Sequence, residues 1–241
     1  MLILSSSRSN LTISKINLCE MNGFSKKRFF PLLLIWLVIA QGCEKEKESK
    51  YPIDIDGNQY DTVVIGTQTW LKENLKTTKY RNGDHINLIT DNTKWSTFPI
   101  GAFCWYDNNA DNKEIYGALY NWKAASSDLL CPYGWHVPTS AEWKELIAYL
   151  GGQHDAGGKL KETGTIHWIS ESEGTTNETG FTALPGGCRY LDGTFKEIKQ
   201  YGNWWMSDYD NFMYVFYSNE YISEGSWNGN PGFSVRCVKD Q

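Results

Sequence analysis

Twelve apolar or aromatic residues, Phe29 to Ala40, stand directly behind Lys26-Lys27-Arg28. The run is too short for a comfortable membrane span, which needs about 20 residues. A basic cluster followed by a short apolar core is the layout of a secretory signal. This feature constrains the rest of the chain most, because it places folding in an oxidising compartment where thiols pair. Of the six cysteines, Cys19 lies upstream of the signal and Cys43 closes it. Cys104, Cys131, Cys188 and Cys237 remain, an even set that reads as two disulfides with three pairings open. No two of these four have the C-x₂₋₄-C spacing of a zinc site.

Gln41-Gly42-Cys43 is followed by Glu44-Lys45-Glu46-Lys47-Glu48-Ser49-Lys50. A cysteine behind a small residue, between an apolar core and a charged tether, resembles the lipobox of bacterial lipoproteins. The resemblance implies cleavage before Cys43 and a diacylglycerol on its thiol. Met21 puts the basic cluster at the usual distance from a start. Residues 1–20 are therefore expected to lie upstream of the true initiator, 21–42 to be the signal peptide, 43–52 a charged tether and 53–241 one folded domain. The tether resembles that of lipoproteins carried to the outer face of the bacterial outer membrane, which implies cell-surface exposure.

Removing residues 1–42 lowers the basic count from 23 to 18 and the acidic count from 28 to 27, so the formal charge moves from −5 to −9. Such a surface repels phosphate backbones and anionic headgroups, which excludes nucleic acid as the expected partner. Membrane attachment then has to come from the acyl chains, each buried CH₂ contributing roughly 0.8 kcal/mol.

The folded region alternates short apolar segments with turn residues. Asp56-Gly57-Asn58 predicts a hairpin between Ile53-Ile55 and Tyr60-Ile65, and Gly66-Thr67 predicts a turn into a strand at Gln68–Leu71. Ala102–Tyr106 reads as a strand, and Gly117–Ala125 as a helix. Thr139-Ser140-Ala141-Glu142 is a capping box. Behind it Trp143, Leu146, Ile147 and Leu150 share one helical face, and Gly151-Gly152 stops the helix. A further short helix is expected at Ala156–Lys161. Strands are expected at 181–184, 189–190, 203–207, 214–217 and 233–238. Helices in the middle with strands on both sides make the class α+β.

The words Asp56-Gly57-Asn58, Ile65-Gly66-Thr67-Gln68-Thr69-Trp70, Tyr116-Gly117-Ala118-Leu119-Tyr120-Asn121-Trp122, Cys131-Pro132-Tyr133-Gly134-Trp135-His136-Val137-Pro138-Thr139, Gly180-Phe181-Thr182-Ala183-Leu184-Pro185-Gly186-Gly187 and Ser234-Val235-Arg236-Cys237-Val238 occur in that order. Together they strongly resemble the Fibrobacter succinogenes major paralogous domain over about residues 53–239. That family is similar to the C-type-lectin fold and, more distantly, to the formylglycine-generating-enzyme superfamily. The resemblance implies two main helices and a twisted antiparallel sheet. It also implies a bridge from Cys131 to Cys237, which leaves Cys104 with Cys188 as the second pair.

Several candidate sites follow. Asp107, Asn109 and Asp111 have the alternating oxygen spacing of a calcium loop. Asn112 and Ala118, however, stand where such a loop has Gly and Glu, and the competing reading is an Asx-rich turn. The lectin-type calcium strings are absent, and Trp227-Asn228-Gly229-Asn230 lacks the acid they need. No hydrolase elbow, zincin or phosphate-loop motif occurs. Aromatics make up 15% of the chain, and between 204 and 227 Trp204, Trp205, Tyr209, Phe212, Tyr214, Phe216, Tyr217, Tyr221 and Trp227 are interleaved with Asn, Ser, Asp and Gly. Rings beside amides and hydroxyls suit sugars or protein partners. Trp204, Trp205, Tyr209, Trp227 and Asn228 are the expected ligand-binding residues. The expected protein is a lipid-anchored, non-catalytic module recognising a glycan or an envelope protein. No cofactor is expected, and Ca²⁺ at the Asp107 loop is the alternative to the Asx-turn reading. The alternatives are a divergent enzyme on a formylglycine-generating-enzyme-like scaffold and a purely structural envelope protein.

Overall fold

The computed structural model describes residues 51–208 and 210–241. The segment expected to be the signal, the expected lipidation residue Cys43, and Tyr209 lie outside the described residues.

The chain is α+β. In order it forms β1 (Thr62–Ile65), β2 (Gln68–Leu71), β3 (Asn87–Leu88), α1 (Asn92–Thr97), β4 (Ala102–Cys104), α2 (Lys113–Tyr116), β5 (Leu119–Asn121), α3 (Trp122–Ala125), β6 (Trp135–His136), α4 (Ser140–Tyr149) and α5 (Gln153–Leu160). Then come β7 (Gly186–Arg189), β8 (Phe195–Ile198), β9 (Tyr201–Trp205), β10 (Asn211–Phe216), β11 (Ile222–Ser226), β12 (Gly232–Phe233) and β13 (Val238–Lys239). Three sheets result, with strand orders β1-β2-β13-β6, β11-β10-β9 and β3-β4-β5-β12-β7-β8. Among the described strand pairs β3 and β4 run parallel and the others antiparallel, with isolated parallel bridges at Lys161–Ala183 and Trp204–Ser234.

Local chemistry explains the best-defined elements. The β1–β2 hairpin turns at Gly66, whose φ of 62° suits a residue without a Cβ. Helix α4 begins at Thr139: its hydroxyl accepts from the Glu142 N–H, and the Glu142 carboxylate accepts from the Thr139 N–H at 2.8 Å. Its Trp143, Leu146, Ile147 and Leu150 are all buried.

Strand β9 is a wall shared by two cores. Successive strand residues point to opposite faces. Trp204 therefore enters the core built on Trp70, Trp143, Phe181 and Met213, while Trp205 enters the one built on Phe103, Tyr120, Phe212 and Phe233. Both indole N–H groups are satisfied inside the protein, Trp204 by Asn74 Oδ1 at 2.8 Å and Trp205 by the Tyr120 carbonyl at 2.7 Å.

The Cys131–Cys237 disulfide is formed and ties the segment before β6 to the residue before β13. It spans 106 residues, and in the chain-entropy picture a loop of that size contributes about 4–5 kcal/mol. The expected second bridge is not made, since Cys104 and Cys188 are buried free thiols. A disulfide needs Cα atoms within about 7 Å, little more than one strand spacing. Cys104 on β4 and Cys188 on β7 have β5 and β12 between them and face different hydrophobic clusters. The helix expected at Gly117–Ala125 is also corrected. Leu119–Asn121 is strand β5, and Asn121 caps the short α3 by accepting from the Ala124 N–H. Among the described residues four strands and two helices went unread, β3, β6, β8, β11, α1 and α2.

Candidate functional site

The three-stranded sheet carries the most developed aromatic surface. On β10, Met213 and Val215 point into the Trp204 core, and Phe212, Tyr214 and Phe216 point the other way. Phe212 is covered, whereas Tyr214 and Phe216 are half-buried. Register sets Tyr201 of β9 opposite Phe216, with ring centroids 4.4 Å apart, and diagonal to Tyr214 at 6.0 Å. On the other side Ser223 of β11 lies opposite Tyr214. Tyr201, Tyr214, Phe216, Asn219, Tyr221 and Ser223 line one groove of about 230 Å³.

The floor of this groove is held by a buried cation. Lys161 Nζ donates to the carbonyls of Phe216 at 3.2 Å and Asn219 at 2.6 Å, and to Ser172 Oγ at 2.7 Å. Its ammonium lies 5.5 Å from the Trp168 ring centroid. Burial lowers its pKa from 10.5 to about 8, against the pull of Glu220 and Glu171.

Beside the groove, Glu197 adopts φ 68° and Lys199 φ 64°, the left-handed region that L side chains seldom occupy. Glu197 accepts from the Tyr190 hydroxyl at 2.6 Å and from the Cys188 thiol at 3.3 Å. Burial, then that carboxylate, raise the Tyr190 phenol well above its ordinary value, so it stays a donor. Tyr201 is raised in the same direction, first by burial and then by Glu197. Burial also pushes the Cys188 thiol far up, which leaves it inert.

The sequence-predicted residues fare unevenly. Trp204 and Trp205 are corrected: at 1% and 0% exposure they are core residues and cannot stack on a ligand. Tyr209 lies outside the described residues. Half-buried Trp227 stands edge-on to Tyr190 at 4.8 Å and 6.3 Å from Phe212, which joins it to the groove's aromatic row, and Asn228 beside it is exposed. Tyr201, Tyr190, Asn219 and Ser223 were missed. The signal that finds Tyr214 and Phe216 is their i, i+2 spacing on a strand; no comparable signal marks Asn219.

Asp107, Asn109 and Asp111 are exposed, and Asn109 Oδ1 accepts the Asp111 N–H at 3.0 Å in an Asx turn. Among the described residues no three His, Cys, Asp or Glu side chains are grouped to hold a metal. His136 is a clamp, its two ring nitrogens lying 2.6 Å from Asp240 and 2.8 Å from Glu142. The two carboxylates raise its pKa to about 9, Glu142 most, against the opposing effect of burial.

A second cleft, about 360 Å³, is lined by Lys72, Glu73, Glu114, His167, Thr182 and Arg236 among others. Its arginine, histidine and carboxylates are committed to neighbours. Arg236 is fully buried and donates to Asn74 Oδ1 and to the carbonyls of Leu71, Lys72 and Phe181. Glu114 pairs with Lys76 at 2.5 Å and Glu162 with His167 at 2.9 Å. Burial raises Glu73, against the lowering effect of Arg236. The aromatic groove, by contrast, offers ring faces, an amide and hydroxyls, and its six lining residues include neither a carboxylate nor an imidazole.

Comparison with known families finds one match, the model of the Fibrobacter succinogenes major domain, over residues 63–239. No curated protein and no solved structure matches the chain.

Proposed function

The chain belongs to the Fibrobacter succinogenes major domain family, and from that premise we propose that it is a non-catalytic cell-envelope module that recognises a glycan. The observation that carries the reading is the groove of Tyr201, Tyr214, Phe216 and Tyr221 with Asn219 and Ser223. Sugar rings present C–H faces that stack on aromatic side chains, and hydroxyls that bond to amide and hydroxyl partners. Trp227 and Asn228 extend this surface at its far end.

The rest of the proposal comes from the sequence. Cys43 carries the lipid, the segment after it is a tether, and the head sits at the outer membrane, facing outward. The head is a divergent C-type-lectin-like body. Its bridge from near the start of α4 to the residue before β13 supports that reading, as do the two longest helices, α4 and α5, following one another.

Affinity electrophoresis of the purified protein through gels containing neutral and acidic polysaccharides tests the function. At least one glycan is expected to retard it, and Tyr214→Ala or Phe216→Ala to weaken binding at least tenfold, with Trp227→Ala weaker in effect. Unchanged retardation in both groove variants sinks the reading. Release of reducing sugar would move it to an enzyme, with the Glu73 cleft as the place to look.

A further inference from the structure

The first described residues alternate in the wrong sense for a soluble surface. Tyr51, Ile53 and Ile55 are 37%, 40% and 44% exposed, while Asp54 between them is 6% exposed. The buried carboxylate fixes this register. It accepts from the Tyr60 hydroxyl at 2.6 Å, from Asn58 Nδ2 at 2.7 Å and from the backbone N–H groups of Asp56 and Asn58. A slip of one residue would bury the isoleucines and strand the acid.

The outward side chains have company. Tyr133 is 75% exposed and Leu129 37%. Both are fixed to Arg81, whose N–H donates to the Leu129 carbonyl and whose own carbonyl accepts from the Tyr133 hydroxyl. The Arg81 guanidinium stands 5.6 Å from the Tyr133 ring centroid. Ile53, Asp54, Ile55, Arg81, Pro132 and Tyr133 line one shallow hollow of about 80 Å³, the Asp54 carboxylate being turned inward to Tyr60 and Asn58. A connected apolar surface of this kind marks a contact site.

We propose that this face lies on the bilayer surface to which Cys43 is anchored; the inference rests on the lipid-anchor reading above. Chain length identifies the occupant. Eight residue steps separate Cys43 from Tyr51, so the acylated thiol lies at most about 29 Å from the patch. A tether that short holds the face at an effective concentration of order millimolar, so a patch too weak to bind lipid alone suffices. The chemistry agrees. Tyrosines and aliphatic side chains form the mixture that settles at headgroup depth, and the Arg81 guanidinium, which donates to the carbonyls of Asp128, Pro132 and Trp135, holds the loop that presents Tyr133. The aromatic groove belongs to another surface, and none of its lining residues borders the hollow.

The test uses the full acylated chain in vesicles of phosphatidylcholine and phosphatidylethanolamine doped with a diazirine-bearing phosphatidylcholine. After photolysis, peptides covering 51–55 and 127–135 are expected to carry at least fivefold more lipid label than the remaining surface. The double variant Leu129→Asp, Tyr133→Asp changes exposed positions only, and it is expected to remain vesicle-bound and lose that enrichment. Even labelling of an acylated, vesicle-bound protein overturns the proposal while leaving the anchor intact. Cross-links between copies at these peptides overturn it in favour of a second chain. Protein whose Cys43 has an unmodified mass, and which fails to float with vesicles, removes the anchor reading and the docking with it.

Discussion

One face of the three-stranded sheet behaves differently at its two ends. At one end Trp205 and Phe212 lie under Phe233, with ring centroids 4.8 and 4.3 Å from it, and none is more than 7% exposed. At the other, Tyr201, Tyr214 and Phe216 pack on one another along an open groove and stay half-buried. The rings are of one class and the strands are the same. The difference lies in what packs on top and in where the polar atoms go. The Trp205 N–H is consumed by a main-chain carbonyl, whereas the tyrosines sit where a ligand can reach them. An aromatic-rich sequence is therefore no guide to a binding surface until the covering strand is known.

The comparison can be broken most forcefully at its covered end. Trp205→Ala is expected to cost about 3–5 kcal/mol, the range for truncating a buried aromatic; urea unfolding measures it, and a loss under 1 kcal/mol would mean that the two ends are alike. Lys161→Met comes next. It strips two main-chain carbonyls of their donor and is expected to cost about 2–4 kcal/mol, with hydrogen exchange rising first at 216–221. Loosening confined to the Trp205 end would remove Lys161 from the groove's support.

His136 tests the wall from the Trp204 side, because it braces α4, whose Trp143 lies 6.3 Å from Trp204. Its folded pKa of about 9 exceeds the ordinary 6.5, so the folded state keeps a proton that the unfolded chain releases. The stabilisation is full below pH 6.5 and is lost as pH rises through about 9. Solvent screening of this partly exposed cluster reduces it to roughly 1–2 kcal/mol. Thermal melts of His136→Gln are expected to show a flatter pH profile across that window, and a profile parallel to the parent's would refute the clamp. The smallest stability effect belongs to the open end. Tyr214→Ala is expected to cost about 1 kcal/mol or less in stability and at least tenfold in glycan binding, a split that the covered rings cannot produce.

Much of the frame was legible in the residues. The capping box and the four-residue apolar stripe defined α4, and Gly66 marked the β1–β2 turn. The family words anticipated the bridge between Cys131 and Cys237. What escaped depended on distant partners. Leu119-Tyr120-Asn121 has helical company on both sides, but becomes a strand because β4 and β12 take its backbone bonds. Cys104 and Cys188 looked like a pair only while their places in the sheet were unknown. Trp204 and Trp205 resembled a surface platform, and burial on both sides of β9 could not be read from two adjacent letters. The tyrosine groove was half-visible: the ring-rich segment was noticed, but Tyr201 and Asn219 joined it through pairing and turn geometry that no local pattern announces.

Strand β13 sits between β2 and β6, pairing Val238 with both Trp70 and His136. A nascent chain therefore cannot close this sheet, or oxidise Cys131 onto Cys237, until synthesis has run about a hundred residues past β6. Until then β2 and β6 each keep an open edge on the side that β13 will fill. On the export route proposed above, such a delay keeps the chain from locking up before it has crossed the membrane.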